Sequence, residues 1–205
     1  MAVGTGSVRL TPAEGDDLRV HRTVRSGWRG PDTEERADGS RAVVEASCPG
    51  LLGGRCEVHY EIAVPDGHAV EVSVSSGDLE VSGLRVRSLR TSASSGRTTL
   101  ADVDGPVELR SGSGSIDATG LRSDRVAAEI SSGSTQLEFS AAPTEVTVSA
   151  SSGDVTLRLP ADGDPYHVRA RSSSGQERVD VPTDPGSPRA VTVTVSSGDV
   201  EVLPR

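Results

Sequence analysis

Aromatic residues are nearly absent from this sequence of 205 residues, which contains one Phe, one Trp and two Tyr. Pockets for small molecules and large cofactors are lined mainly by aromatic and other large apolar side chains. The scarcity of these residues argues against stacking platforms for carbohydrate and against a large cofactor pocket. We therefore expect no cofactor.

Long apolar runs and an excess of basic residues are also missing. No run of about 18 apolar residues occurs, so no membrane-spanning helix is predicted. Residues 1–6 lack the charged and apolar regions of a signal peptide. The 30 acidic and 21 basic residues leave a net charge of −9. Because there is no basic patch, we expect no binding of nucleic acid.

Residues suited to catalysis or metal binding are few and scattered. The histidines are His21, His59, His68 and His167. None has the spacing of a metal motif, and no serine lies in a nucleophile-elbow pattern. On the alternation of its strand, His59 is predicted to face solvent. We predict neither a catalytic residue nor a metal ligand.

The sequence does contain, many times over, a short repeat centred on glycine. Seven glycines follow one another at intervals of 18 to 23 residues, and each is preceded by serine. These pairs are Ser76-Gly77, Ser95-Gly96, Ser113-Gly114, Ser132-Gly133, Ser152-Gly153, Ser174-Gly175 and Ser197-Gly198. A near-constant period of about 20 residues is the signature of a solenoid.

Apolar or small side chains alternate on both sides of each glycine. Around Gly198 they are Val191, Val193 and Val195 before it, and Val200 and Val202 after it. This alternation predicts two short strands, each with one buried face. Its parity changes at the glycine, so the chain must turn a corner there. A third apolar position, six or seven residues after the glycine, completes each unit.

Stacked units of this kind predict an all-β fold, a right-handed parallel β-helix of about seven rungs. An antiparallel sandwich of hairpins is the alternative. In the solenoid, the serine hydroxyls would form a ladder along one corner. Aspartate follows the glycine only at Asp78, Asp154 and Asp199, whereas calcium-binding β-rolls need it on every turn. These aspartates are predicted to bond the corner backbone.

The first third of the chain does not follow the repeat. We expect residues 1–68 to form a β cap over one end of a solenoid made by residues 69–205, because an open rung exposes a strand edge. Strands are predicted at residues 7–10, 18–24, 41–46 and 57–64. The polar, Gly-rich stretch 26–39 is predicted to be a loop.

Two cysteines, Cys48 and Cys56, enclose a short Gly-rich loop. We predict a disulfide between them, which would indicate an oxidising compartment. A zinc site would need two further ligands that are not offered nearby, and two free buried thiols are the remaining alternative.

The run from Cys48 through Cys56 to the turn at Pro65-Asp66-Gly67, followed by repeated Ser-Ser-Gly-Asp units, resembles the adhesin family of bacterial β-strand-repeat proteins, the DUF4097 type. The resemblance covers nearly the whole chain and is clearest over residues 41–202. It implies a β-solenoid ectodomain, often tethered to the membrane by an N-terminal helix that this sequence lacks. It carries no catalytic residues to transfer.

Together these features predict a non-enzymatic module on the cell surface, either adhesin-like or a rigid spacer. Its partner would be an unidentified protein or cell-wall component, and any membrane attachment would lie in a segment absent from this sequence. One alternative is a self-assembling or envelope-stress scaffold that stacks weakly end to end through an open C-terminal rung. Another is a polysaccharide-cleaving β-helix, which would gather acids on one outer face. Here acids and bases are mixed, as at Glu108 and Arg110.

Overall fold

The computed structural model describes residues 1–26, 30–38, 41–48 and 56–205. These residues form twenty β-strands: β1 Ala2–Thr5, β2 Val8–Pro12, β3 Arg19–Ser26, β4 Asp32–Asp38, β5 Arg41–Ser47, β6 Cys56–Val64, β7 Ala69–Ser76, β8 Leu79–Ser82, β9 Ser88–Ser95, β10 Thr98–Ala101, β11 Val107–Ser113, β12 Ile116–Leu121, β13 Arg125–Ser132, β14 Thr135–Phe139, β15 Glu145–Ser152, β16 Val155–Leu159, β17 His167–Ser174, β18 Glu177–Val179, β19 Ala190–Ser197 and β20 Val200–Pro204. The described ranges contain no helix with the length and apolar character that a membrane span requires.

The strands form two ten-stranded sheets that extend along the molecule and enclose the core between them. The first sheet has the order β17-β19-β15-β13-β11-β9-β7-β1-β5-β4, and the second has the order β18-β20-β16-β14-β12-β10-β8-β2-β6-β3. One strand of the first sheet, the corner and the next strand of the second sheet make one rung. Neighbouring rungs pair in parallel, as at β13 and β15. The predicted β-solenoid is confirmed, and the antiparallel sandwich is wrong.

One continuous hydrophobic core fills the space between the sheets. In the rung formed by β19 and β20, the five valines of the predicted inward pattern are buried. The third apolar position is buried as well, at Leu84, Val103, Leu121, Phe139, Leu159 and Val181. The change of parity at the glycine therefore marks a true corner, and both strands of a rung face the same core.

The order of the rungs in space differs from their order in the sequence at the C-terminal side. The rung β19/β20 lies between β15/β16 and β17/β18, so β17/β18 is outermost. The expectation of an open C-terminal rung is therefore wrong. Burial of apolar surface explains the exchange, because β19/β20 supplies valine at positions where β17/β18 supplies Ser172 and Glu177.

A similar insertion occurs at the other side of the stack. The rung β1/β2 lies between β5/β6 and β7/β8, where Val3, Val8 and Leu10 are buried. Strands β3 and β4 lie outermost and pair antiparallel with β6 and β5. The predicted unit 1–68 thus supplies two rungs as well as these outer strands, and it shares both sheets with residues 69–205.

Strand β4 corrects the prediction of a loop over residues 26–39. Its inward side chains, Thr33 and Glu35, lie opposite Ala46 and Val44 of β5. Polar residues at inward positions hide a strand from any search for apolar alternation. Pairing with β5 holds this segment extended. Because β4 is the last strand of its sheet, its inward side chains remain exposed to water. Residues 27–29 and 39 of the predicted loop lie outside the described residues.

The predicted disulfide joins Cys48 to Cys56, with 5.8 Å between their Cα atoms. In the other rungs a short corner leads from one sheet to the next, but here the chain inserts extra residues between β5 and β6. The disulfide ties the end of β5 to the start of β6 across this insertion. Residues 49–55 between the cysteines lie outside the described residues.

Reduction of this disulfide is expected to destabilise the protein by roughly 2–3 kcal/mol, because it frees the insertion in the unfolded chain. Denaturant unfolding with and without reductant measures the difference. Alkylation without reductant should modify neither thiol in intact-mass analysis. A double Cys48→Ser, Cys56→Ser variant serves as the control, since its unfolding should not respond to reductant. Two alkylated cysteines in protein from an oxidising source would contradict the pairing.

Candidate interaction surfaces

The glycine corner is a column in which each residue touches the next rung. In spatial order it runs Gly6, Gly77, Gly96, Gly114, Gly133, Gly153, Gly198 and Gly175. A Cβ atom on Gly96 would overlap the carbonyl oxygen of Gly77, and one on Gly114 would overlap that of Gly96. Glycine is therefore required for the approach of the rungs as well as for the turn. Sequence reasoning missed Gly6, although Val3, Val8 and Leu10 flank it in the repeat's register.

The serine column beside the glycines is an exposed ridge. Its carbonyl groups accept hydrogen bonds from glycine N–H groups of adjacent rungs, as in Gly133 N–H to Ser152 at 3.0 Å. Within the described part of the chain, the hydroxyls of these seven serines make no hydrogen bond. The serines lie in register from rung to rung, as at Ser132 and Ser152, but their hydroxyls point to water and the hydrogen bonds between rungs are made by other groups of the corner.

The aspartates after the glycines bond backbone, as predicted. Oδ1 of Asp78 accepts from the N–H of Arg97 at 3.0 Å, and Oδ1 of Asp154 accepts from the N–H of Asp199 at 2.9 Å. Each aspartate thus bridges one rung to its neighbour at the corner. Among the described residues, no group of histidine, cysteine and acidic side chains is arranged to hold a metal ion.

The outer face of the first sheet, called here the outer wall, carries a network of exposed ion pairs. Glu108 lies 2.9 Å from Arg90 and 2.8 Å from Arg110, and Arg110 lies 3.2 Å from Glu129. Pairs of this kind contribute little to stability because water screens them. Each acid in this network lies beside an arginine that neutralises its charge. These residues therefore form no acidic cleft of the kind that polysaccharide-cleaving enzymes use.

Ser7, His59 and Glu57 come together on the outer face of the second sheet. Ser7 Oγ lies 2.7 Å from His59 Nδ1, and His59 Nε2 lies 3.7 Å from Glu57 Oε2. The contact with Ser7 half-buries His59, which the sequence places in solvent. A hydrolytic serine also needs free donors for an oxyanion. The N–H groups of Gly6 and Val8 already donate to the next rung, so neither is a free oxyanion donor, and the hydrogen bond from the cluster links β6 to the segment between β1 and β2.

Two of the grooves on the described part of the surface are lined largely by polar and charged residues. One is lined by Ser140, Pro160, Ala161, Asp162 and Arg205. The other lies beside the third apolar position of three neighbouring units, where Asp102, Asp104, Arg85 and Arg122 mix both signs of charge. Ligand pockets are usually apolar with a few converging polar groups. Neither groove has that character.

The first end of the stack is the rung β17/β18, called here the β17 end. The free edges of β17 and β18 pair with no other described strand. Val168, Ala170 and Ser172 face inward but are half-buried, and Val179 is 38% exposed. Glu177 also faces inward, and its Oε1 accepts a hydrogen bond from the Ser172 N–H at 2.6 Å. A charge in an inward position blocks the pairing of unrelated strands.

The opposite end, called the β3 end, is formed by strands β3 and β4. Val20 and Val24 of β3 are 37% and 38% exposed. Between them Arg22 donates from Nη1 to Thr33 Oγ1 and to Glu35 Oε1, both at 2.8 Å.

Tyr60 lies directly under Arg22. Its hydroxyl is buried, and no described residue lies in hydrogen-bonding geometry with it. Burial raises the pKa of Tyr60, and the nearby guanidinium of Arg22 opposes that rise. The β3 end therefore combines apolar exposure with an inward ion pair of Arg22 and Glu35, whereas the β17 end carries the inward charge of Glu177.

Comparison with known proteins gives a match to one family and one solved structure. The family described as Toastrack DUF4097 matches residues 5–203. No curated protein matches the sequence. Among solved structures, a chain described as "a putative cell adhesion protein from Clostridium sporogenes" is similar at 11% identity and a TM-score of 0.38, over 100% of this chain and 90% of that one.

Proposed function

This chain belongs to the Toastrack DUF4097 family, and from that premise we propose that it is a non-enzymatic β-solenoid module displayed outside the cell membrane. The family resemblance seen in the sequence is confirmed. The module acts as a rigid spacer or, adhesin-like, presents its outer walls to a protein or cell-wall partner.

The observation that carries this proposal is the continuous core, which makes the molecule one stiff column. Ten strands in each sheet give a length of about 43 Å at a strand spacing of roughly 4.8 Å. From the rung β1/β2 to the outermost rung β17/β18, backbone hydrogen bonds at the corner tie each rung to the next. Such a column holds its ends and walls at fixed distances, which is what a spacer or a display module requires.

The disulfide supports a location outside the cell membrane. Bridges of this type persist in oxidising compartments and are rare in the cytosol. The walls of mixed charge and the polar grooves favour recognition over chemistry, because they offer a broad surface and no water-excluded site.

A single exposed cysteine tests the location. Thr147 lies on the outer wall and is exposed, whereas its neighbour Val148 is buried. We expect a Thr147→Cys variant to react with a membrane-impermeant maleimide on intact producing cells, to the same extent as after permeabilisation. A Val148→Cys variant is the matched control and should stay unlabelled in both. Labelling of Thr147→Cys that requires permeabilisation would refute the proposal.

A further inference from the structure

We propose that copies of this chain stack end to end, with the β17 end of one molecule on the β3 end of the next. The partner is a second copy, and the contact extends both sheets and the core. This goes beyond a display role, because it makes the module a building block of a filament. It rests on the register that the two ends share.

The register places opposite charges face to face. Tyr60 occupies the same level in its rung as Leu79, since both pair with Val8. Arg22 lies opposite Tyr60. At the other end Glu177 holds this level, since it pairs with Val200 two residues after the corner glycine. A stack that continues the register therefore sets Arg22 against Glu177.

The same register brings apolar side chains together. Val20 lies opposite Ile62, two residues further along the strand. Val179 holds the equivalent level of the terminal rung, opposite Val202. Both valines are more than a third exposed in the single molecule. Stacking would cover them together and remove both from water.

The first sheet shows a second set of matches. On the inner face, Thr33 would meet Ser172, since Thr33 pairs with Ala46 at the level that Ser172 holds in its rung. On the outer face Glu34 would meet Arg171.

Two further contacts would form on the outer faces of the sheets, one between opposite charges and one between like charges. In the second sheet Arg19 would meet Asp180. Arg36 would meet Arg169, which is a like-charged contact, although Arg36 is already paired with Glu34.

Inward charges at both ends explain why this stacking is selective. A single buried charge rejects a generic strand edge, whereas two charges of opposite sign at one level accept each other. In the free molecule each charge is held locally, Glu177 by the Ser172 N–H and Arg22 by Thr33 and Glu35. Because desolvation of an ion pair is costly, the association should be weak and favoured at high local concentration.

The contact joins two different surfaces, so it does not close on itself. Heterologous contacts without a closing rotation produce open chains of subunits. Each added copy exposes a fresh β17 end or a fresh β3 end. The expected product is therefore a linear series of masses that lengthens with concentration.

Charge reversal tests the proposal. We expect the parent protein to show a weight-average mass that rises with concentration in sedimentation equilibrium, from micromolar to millimolar protein. Glu177→Arg should weaken this association at least tenfold, and so should Arg22→Glu. Mixing the two single variants should restore it, because each then finds an opposite charge. The outward Gln176→Arg variant adds the same charge one residue away and should associate like the parent.

A capping experiment covers the case in which Arg22→Glu does not fold. The Glu177→Arg protein keeps an intact β3 end, so it should bind the β17 end of parent stacks and stop growth at that end. Its addition should lower the mass of parent assemblies. A parent that stays monomeric throughout would overturn the proposal. So would a Glu177→Arg variant that associates like the parent, or a folded mixture of the two single variants that fails to associate.

Discussion

Replacement of Gly133 by alanine is expected to destabilise the solenoid by more than about 4 kcal/mol, which is exceptional for a single substitution. The backbone of Gly133 has φ +133, and an added Cβ would overlap the carbonyl oxygen of Gly114 in the next rung. Neither partner can yield, because both belong to the hydrogen-bonded corner backbone. Thermal or denaturant unfolding of the purified variant measures the loss.

Gly15→Ala is the matched control for this prediction. Gly15 has φ +98, but no atom lies within 4 Å of the place its Cβ would take. We expect a cost of about 1 to 2 kcal/mol from backbone strain alone. The difference between the two variants then reports the close approach of the rungs. Equal losses would show that strain, and not the contact between rungs, explains the repeated glycine.

The substitution Val148→Asp is expected to cost on the order of 3 kcal/mol or more. Val148 is 1% exposed and lies between Ala128 and Val193 of the adjacent rungs. The introduced carboxyl would find only apolar partners at these neighbouring inward positions. Burial would raise its pKa above the value in the unfolded chain. The loss should therefore be full above that raised pKa, should shrink as the pH falls towards the unfolded value of about 4, and should be smallest below it.

Thr147→Asp controls for the substitution itself. Thr147 is the adjacent residue on the exposed outer wall, beside Thr192. We expect its stability to stay within roughly 0.5 kcal/mol of the parent. Unfolding curves of both variants at neutral and acidic pH make the comparison. If Thr147→Asp were the damaging variant, the inward register would be wrong by one residue.

Much of the structure is predictable because the sequence signals that define a solenoid rung are local. Alternation within a strand decides which side chains face inward, and the change of parity at glycine places the corner. Both signals lie within a few residues of each other, and they repeat. The polar outer strand β4 escapes this reasoning, since Glu35 holds an inward position where an apolar residue is the usual sign of a strand.

The sequence by itself determined the period, the inward register, the corners, the pairing of Cys48 with Cys56 and the family. The tertiary structure alone decided the order of the rungs, and hence which residues form the two ends. The rungs from β1/β2 to β19/β20 share the same glycine corner, so any of them can stack on any other, and no local signal sets their order. Burial ranks them, because the five-valine rung gains most from lying inside. The rung carrying Glu177 loses least from facing water.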